Sequence, residues 1–410
     1  MGRGLFLKRS DRDFHNWTGD RSTGVRENQF IKHLFHWTAL LGVALFSWGA
    51  VCGAETGWAD HDKPLNIAAI FSLTGFAANP NRSSVLGTRL AVDEINRSGG
   101  LLGHNLNLIF LDNMSTPIGA SLAANQAAVA EVVGIIGAQW SSHSLAIAEV
   151  AQQNRIPMIS NYSTHPKLTA IGEYIFRVCY NDNLQGKVMA EFARRDLNAN
   201  TASVFVDLAS DYSLALSKIF RSHFESLGGR VVREIEYKAK NENYDGLVEP
   251  AMEAEADVVF LSGHEEGGII ARRLQEAGIQ GVLLGGDGWG DETFWTLGGR
   301  DLKKGFFCDH WSEFSDRKQS REFIAKYSQR RDFGTGAALA YDAVMVLARA
   351  VEKAGSTEGP KVARSLSGLE TYEGVTGSIK FDAQGDPLKS AVIMEIKDGQ
   401  PHYLKTLAPN

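Results

Sequence analysis

The sequence has few cysteines and none of the short motifs that mark common enzyme classes. Its 410 residues include only 3 cysteines, and no Cys-x-x-Cys or His-Glu-x-x-His motif occurs, so no zinc site is indicated. A phosphate-binding Gly-x-x-x-x-Gly-Lys-Ser/Thr loop and a Gly-x-Ser-x-Gly nucleophile turn are also missing. The glycine-rich run 284–290 lacks the order of a dinucleotide fingerprint. We therefore predict a protein that is not an enzyme and has no cofactor or metal.

Basic residues are scarce relative to acidic ones. The chain has 42 Lys and Arg against 48 Asp and Glu, and residues 1–54 hold 7 of the basic and 4 of the acidic residues. The remaining chain has 35 basic and 44 acidic residues, which gives a net charge of −9. An acidic protein without basic clusters is not expected to bind nucleic acid or an anionic membrane.

The first 54 residues have the pattern of a secretory signal peptide. A basic flank with Arg26 and Lys32 precedes an apolar run over 37–51, and small residues follow up to Ala54. This run is shorter than the roughly 20 residues that span a bilayer, so we expect cleavage after Ala54 rather than a membrane anchor. Cys52 leaves a lipid-anchored form open. The predicted location is periplasmic or otherwise extracytoplasmic.

Two cysteines remain in the exported part, Cys179 and Cys308, and both lie near the ends of predicted strands. An oxidising compartment would permit a disulfide between them. Because the sequence does not give their separation, two buried thiols are an equally good interpretation.

Short apolar strands alternate with amphipathic helices from residue 63 onward. The predicted strands are 65–71, 105–111, 134–137, 156–159, 202–206, 230–236, 256–261 and 281–284. Predicted helices follow Pro80 and cover 117–133, 212–227, 245–254, 265–277 and 336–354. This alternation indicates parallel βαβ units. The tail differs, since 377–382 and 391–396 are strand-like without a helix between them. We predict an α/β fold with two doubly wound layers and no long linker.

Polar side chains follow several predicted strands, at the edge where open α/β sheets bind ligands. Ser141 and Ser142 begin a helix, and such a start either binds a carboxylate or simply caps the helix. Tyr162, Ser163 and Thr164 follow the next strand, where Ser163 and Thr164 are either ligand-binding or ordinary turn residues.

In the second half of the chain, aromatic and acidic side chains also follow predicted strands. Tyr212 and His264 each come after a predicted strand, although a lone histidine is more often structural. Asp287 follows the strand 281–284. A carboxylate at this place is a natural partner for a ligand's ammonium group, and its alternative role is that of a turn residue.

In order and spacing, these segments resemble the type I periplasmic binding proteins of the leucine/isoleucine/valine-binding family. The resemblance covers about residues 64–400 and rests on Asp182 and on the fragments 72–75, 91–96, 99–103, 156–160, 176–177, 185–186, 211–212, 285–289, 340–343 and 374–377. It implies two Rossmann-like lobes with parallel central sheets, joined by three hinge crossovers, that close on a ligand. Lobe 1 would comprise 64–181 and 312–387, and lobe 2 would comprise 182–311 and 388–410.

The resemblance also implies roles for single residues. The ligand's carboxylate and ammonium would be held from lobe 1 by Ser141, Ser142, Ser163 and Thr164. Tyr212 and the acidic ammonium partner Asp287 would reach the ligand from lobe 2. His264 stands where the family usually has tyrosine. Tyr162 stands where the family often has a small residue, so it would narrow the pocket or stack on the ligand.

The implied function is that of an extracytoplasmic receptor of an ABC importer. It would bind an amino acid, branched-chain or related, and a membrane permease would recognise its closed form. The family default is a monomer. Two alternatives stay open at this point: a ligand-sensing binding protein, and a receptor for an amide or an aromatic acid.

Overall fold

The computed structural model describes residues 63–239 and 244–408. The predicted signal peptide, with its cleavage site and Cys52, lies outside these residues. Within the described ranges, no helix is long and apolar enough to cross a membrane.

Five parallel strands form the first sheet, in the spatial order β2-β1-β3-β4-β5. They are β1 (Leu65–Phe71), β2 (Leu106–Asp112), β3 (Ile135–Gly137), β4 (Met158–Ser160) and β5 (Ile175–Arg177). Three helices connect the first four strands: α1 (Ala78–Arg97), α2 (Pro117–Val129) and α3 (Ser141–Gln153). Every residue of β3 and β4 is buried. Burial on both faces explains why these strands are continuous apolar runs.

The second sheet has seven strands in the order β14-β13-β10-β9-β8-β6-β7. Its parallel part consists of β6 (Thr201–Asp207), β7 (Arg230–Tyr237), β8 (Val258–Leu261), β9 (Val282–Gly285) and β10 (Lys304–Asp309). A hairpin of β11 (Tyr372–Gly374) and β12 (Gly377–Ile379) stands apart. The antiparallel strands β13 (Ala391–Lys397) and β14 (Gln400–Leu407) complete the second sheet at one edge.

The remaining helices divide between the two sheets. Those in the chain segment of the second sheet are α4 (Asp182–Glu191), α5 (Asp211–Ser226), α6 (Val248–Glu253), α7 (Glu266–Glu276) and α8 (Glu292–Leu297). Three more helices pack in the core of the first sheet. They are α9 (Lys318–Tyr327), the long helix α10 (Thr335–Ala354) and α11 (Gly359–Ser367).

The apolar cores separate along the same division. One core takes residues from 67–179 and from 311–381, and the other two take residues from 180–308 and 391–396. The chain therefore passes three times between two lobes, one built on each sheet. We call them lobe 1, on the first sheet, and lobe 2, on the second. The predicted α/β class with two lobes is confirmed.

The predicted elements are present with shifted ends, and two strands were missed. The helix predicted over 117–133 ends at Val129. The strand-like segment 377–382 stops at Ile379. Strands β11 and β14 were not predicted, and β5 and β10 were indicated only through the positions of Cys179 and Cys308 near strand ends. β14 lies at a sheet edge and has a proline near its start. An edge strand has only one neighbour, so it tolerates polar residues and proline and lacks a strong apolar pattern.

Cys179 and Cys308 are free thiols, and both are fully buried. The Sγ atom of Cys179 donates to the carbonyl oxygen of Ser163 over 3.3 Å. Burial raises the pKa of the Cys179 thiol to about 12, so this thiol is protonated at neutral pH. Of the two interpretations of the sequence, the structure agrees with the buried thiols and not with a disulfide.

Helices α1 and α10 pack closely at Gly87. A Cβ atom at this position would lie 2.0 Å from the carbonyl oxygen of Ala337. We expect Gly87→Ala to lower the free energy of unfolding by about 1–3 kcal/mol, because two helix backbones would have to move apart. The matched control is Gly246→Ala, where a Cβ would meet none of the described residues within 4 Å. Urea unfolding measures both, and equal stability of the two variants would contradict the close helix packing.

Candidate functional site

The carboxyl ends of strands from both sheets face each other across a cleft between the lobes. In lobe 1, α3 begins directly after β3, and the loop 161–164 follows β4. In lobe 2, the loops after β6, β8 and β9 reach the same cleft. Six of the eight predicted site residues line one cavity there, namely Ser141, Tyr162, Thr164, Tyr212, His264 and Asp287. We call this the inner cavity.

The structure places the other two predicted residues elsewhere. Ser142 lines an outer pocket next to the inner cavity. The Ser163 hydroxyl lies 2.5 Å from the Ser144 hydroxyl and 3.1 Å from the carbonyl oxygens of both Ala138 and Gln139. These contacts lie in the interior of lobe 1. The Ser163 side chain therefore does not line the inner cavity, whereas its neighbour Thr164 does.

Helix α3 points its first turn at the cleft. Its first residue, Ser141, is buried and lines the inner cavity, and no side chain of residues 63–239 or 244–408 caps the helix. Backbone N–H groups in the first turn of a helix have no partner within the helix, and the helix dipole favours negative charge there. This end of α3 suits a ligand's carboxylate.

Asp287 stands at the centre of a buried hydrogen-bond network. Its Oδ1 accepts from Nε2 of Gln185 over 3.0 Å, and its Oδ2 lies 2.8 Å from Nε2 of His310. The Tyr162 hydroxyl of lobe 1 donates to the Asp287 carbonyl oxygen over 3.2 Å. The Asp287 side chain is 4% exposed. A carboxylate this deeply buried needs compensation of its charge.

Its partners in this network are neutral groups. Burial lowers the pKa of His310, so its imidazole carries no charge at neutral pH. The ring must donate from Nε2 to the carboxylate, which leaves Nδ1 without a proton, and Nδ1 has no hydrogen-bond partner among the described residues. Gln185 is an amide. A cationic group would therefore add the charge compensation that these two donors do not supply.

A second carboxyl, Asp182, lies beside this network. It is fully buried, and the Thr164 side chain is the hydrogen-bonding group that faces its carboxyl. Its backbone N–H donates to the Thr164 carbonyl oxygen over 2.8 Å. Burial, together with the nearby Asp287 charge, raises the pKa of the Asp182 carboxyl well above its usual range. The cleft is therefore rich in acidic groups.

Three residues of this network were not predicted as site residues: Asp182, Gln185 and His310. Asp182 and Gln185 lie at the start of α4, where the chain first passes between the lobes. His310 follows β10 directly. The rule that ligands bind at the carboxyl ends of strands applies to His310 as well, but the strand near Cys308 was indicated without defined ends, so its carboxyl end was not located.

A column of aromatic rings crosses the cleft. The Trp140 ring of lobe 1 stacks on His264 of lobe 2, with centroids 4.4 Å apart and planes within 1°. His264 also stacks on Tyr212 at 4.7 Å, and His143 lies against the other side of Trp140 at 5.7 Å. Burial lowers the pKa of His264 to about 4, so a neutral imidazole takes part in the stack. We call these four residues the ring column.

The ring column separates the inner cavity from the outer pocket, since Trp140, Tyr212 and His264 line both. The inner cavity itself measures about 20 Å³. This volume holds about one water molecule. The lobes are thus in contact around Asp287, and a larger molecule must separate them or their rings on entry.

Sequence comparisons place this architecture in a known family. Residues 64–401 match the family described as periplasmic binding protein. Leu/Ile/Val-binding protein homolog 3 of Brucella melitensis is 28% identical over 339 residues, which cover 81% of this chain and 90% of that protein. The leucine-, isoleucine-, valine-, threonine- and alanine-binding protein of Pseudomonas aeruginosa is 26% identical over 362 residues, with 87% and 93% coverage.

Solved structures give the same result. The leucine-binding protein LivK of Thermotoga maritima superposes with a TM-score of 0.80 at 31% identity, covering 84% of this chain and 99% of that chain. The branched-chain amino acid transporter substrate-binding protein LivJ of Streptococcus pneumoniae, in complex with isoleucine, gives 0.79 at 27% identity, with 85% and 100% coverage. The chain therefore belongs to the type I periplasmic binding proteins of the leucine/isoleucine/valine-binding family.

Proposed function

We propose that the protein is the extracytoplasmic receptor of an ABC importer and binds an amino acid, branched-chain or related, between its lobes. The observation that carries this proposal is the buried Asp287 carboxylate, whose side-chain partners Gln185 and His310 are neutral donors. A ligand's ammonium group would give it a charged partner in a site shielded from water. The relative LivJ, whose structure contains isoleucine, supports an amino acid as the ligand.

In this proposal the two lobes bind opposite ends of the ligand's head group. The start of α3, with Ser141 and Ser142, and the Thr164 hydroxyl bind the carboxylate. Asp287 binds the ammonium. The rings of Tyr162, Tyr212 and His264 then exclude water. Ser163 contributes indirectly, because its hydroxyl fixes the loop that carries Thr164.

Closure of the lobes is the signal that the importer would recognise. We propose 64–181 with 312–387 as lobe 1, and 182–311 with 388–410 as lobe 2, moving about the three passages between them. The protein carries out no reaction on the ligand. Because the ligand has a higher affinity for the closed form, its binding shifts the population towards closure. The exported protein, cleaved after Ala54, then acts as a monomer that delivers its ligand to a membrane permease.

Thermal unfolding of the purified protein with a panel of amino acids, amides and aromatic acids tests this proposal. A ligand at 100 times its dissociation constant stabilises the native state by about 2.7 kcal/mol, which raises the melting temperature by a few degrees. We expect amino acids to produce this shift. A shift with aromatic acids alone would contradict the ammonium site, and the receptor would then belong to the other ligand class.

A further inference from the structure

The inner cavity borders a second, larger cavity of about 260 Å³. The two share Pro80, Gln139, Tyr162 and Asp291 as walls. The ring column borders the inner cavity as well and separates it from the outer pocket. As an alternative to the outer pocket, a ligand whose ammonium lies on Asp287 can extend its side chain towards this second cavity, which shares the polar residues Gln139 and Asp291 with the inner cavity. We call it the side-chain cavity.

The lining of the side-chain cavity combines polar side chains with aromatic and proline rings, such as Trp295 and Phe333. Among the described residues, none that lines it or the inner cavity is leucine, isoleucine, valine or methionine. Hydrogen-bonding side chains near the shared wall include Asn79, Ser83, Gln139, Asp291 and Thr335. An aliphatic side chain would cover these groups without replacing the hydrogen bonds that water makes to them.

The shared wall presents a defined pair of groups, Gln139 and Asp291. The Oε1 atom of Gln139 accepts from the Ser84 hydroxyl over 2.7 Å, so its amide nitrogen is the end left for other partners. The Gln139 side chain hydrogen-bonds Asp291. Asp291 also caps α8, accepting from the Thr293 N–H over 2.8 Å with Oδ1. An amide matches this pair, because its NH₂ donates to a carboxylate and its oxygen accepts from an amide nitrogen.

The charges around the cavity disfavour an anionic side chain. At the rim, Arg300 pairs with Glu292, and both are more than half exposed, so this pair contributes little. Nearer the ligand lie Asp287 and Asp291, which would repel a carboxylate. Arg82 lines the rim of the cavity but is exposed to solvent, where its field is screened.

We infer that the ligand is an amino acid with an uncharged amide side chain, of the asparagine or glutamine kind. This inference rests on the proposed function and narrows its ligand class. The polar shared wall would then act as the specificity determinant, while Asp287 and the start of α3 bind the head group common to all amino acids.

Calorimetric titration with near-isosteric ligand pairs tests the inference. Glutamine is compared with methionine, and asparagine with leucine, so that size stays constant while hydrogen bonding changes. We expect each amide to bind at least 10-fold more tightly than its apolar counterpart. Tighter binding of methionine and leucine, or of lysine, would overturn the inference and leave the proposed function intact. If no amino acid binds, the proposed function fails, and the inference with it.

The variant Gln139→Leu tests whether the shared wall causes the preference for amide side chains. We expect it to reduce the preference for glutamine over methionine by about 10-fold, with thermal unfolding used to check that the variant folds. The matched control is Gln126→Leu, on the exposed face of α2, which should leave the preference unchanged. A preference that survives Gln139→Leu would contradict the role of the shared wall. If this variant does not fold, titration of the unaltered protein with the ligand pairs still tests the inference.

Discussion

Replacing Asp287 with asparagine is expected to weaken amino-acid binding by about 100-fold while the free protein keeps its stability. The variant retains the side-chain shape but removes the charge that an ammonium would pair with. A 100-fold loss corresponds to about 2.7 kcal/mol, within the range for truncating a buried charged pair. The free protein is expected to keep its stability, because a neutral amide is easier to bury than a carboxylate without a cationic partner, which offsets the loss of one of the two accepted hydrogen bonds.

The control for this variant is Asp257→Asn. Asp257 accepts from the backbone N–H groups of Asn200 and Thr201, at 2.7 and 2.9 Å, at the start of β6 and away from the cleft. These hydrogen bonds hold the pKa of its carboxyl below the usual range. This variant should lose stability and keep its affinity. Titration calorimetry and thermal unfolding of both proteins separate the two effects. Unchanged affinity in Asp287→Asn would remove Asp287 from the site.

Replacing Arg177 with methionine is expected to lower the free energy of unfolding by about 3–5 kcal/mol. The Arg177 side chain is fully buried, and its Nε lies 2.6 Å from Oδ1 of Asp386. Its other nitrogens donate to the Ser163 carbonyl oxygen over 2.9 Å and to the Thr169 hydroxyl over 3.2 Å. The guanidinium thus joins the loop that carries Thr164 to the segment of the third passage between the lobes. Urea unfolding measures the loss.

Two further variants test whether the stability loss of Arg177→Met comes from its buried ion pair. Arg221 forms exposed ion pairs with Glu225 and Glu234, so Arg221→Met should change stability by less than about 1 kcal/mol. In the Arg177→Met background, Asp386→Asn should recover part of the loss, since it removes the carboxylate left without its partner. Equal stability losses for the two arginine variants would show that the buried ion pair has no special role.

The sequence predicted the architecture because its strands are buried on both faces. Continuous apolar runs such as β8 are visible without any knowledge of their neighbours. The position of Asp287 was also predictable, because ligands bind at the carboxyl ends of parallel strands and Asp287 follows such a strand. Edge strands such as β14 carry no such signal, since solvent replaces one neighbour.

The site itself was only partly predictable, for two physical reasons. Adjacent side chains in an extended loop point in different directions, so the sequence could not tell that Thr164 lines the cavity while the Ser163 hydroxyl bonds inside lobe 1. The partners of Asp287 come from distant parts of the chain, with Gln185 102 residues away and His310 23 residues away. The stacking of Trp140 on His264 depends on how closely the lobes approach, which no local pattern encodes.

The most direct test of the account is a crystal structure of the protein with the amino acid that binds most tightly. We expect the ligand's ammonium within hydrogen-bond distance of the Asp287 carboxylate and its carboxylate at the start of α3 and at Thr164. The ring column should shift to make room. A ligand found outside the cleft, or one whose ammonium lies away from Asp287, would contradict the central claim that this buried carboxylate recognises an amino acid.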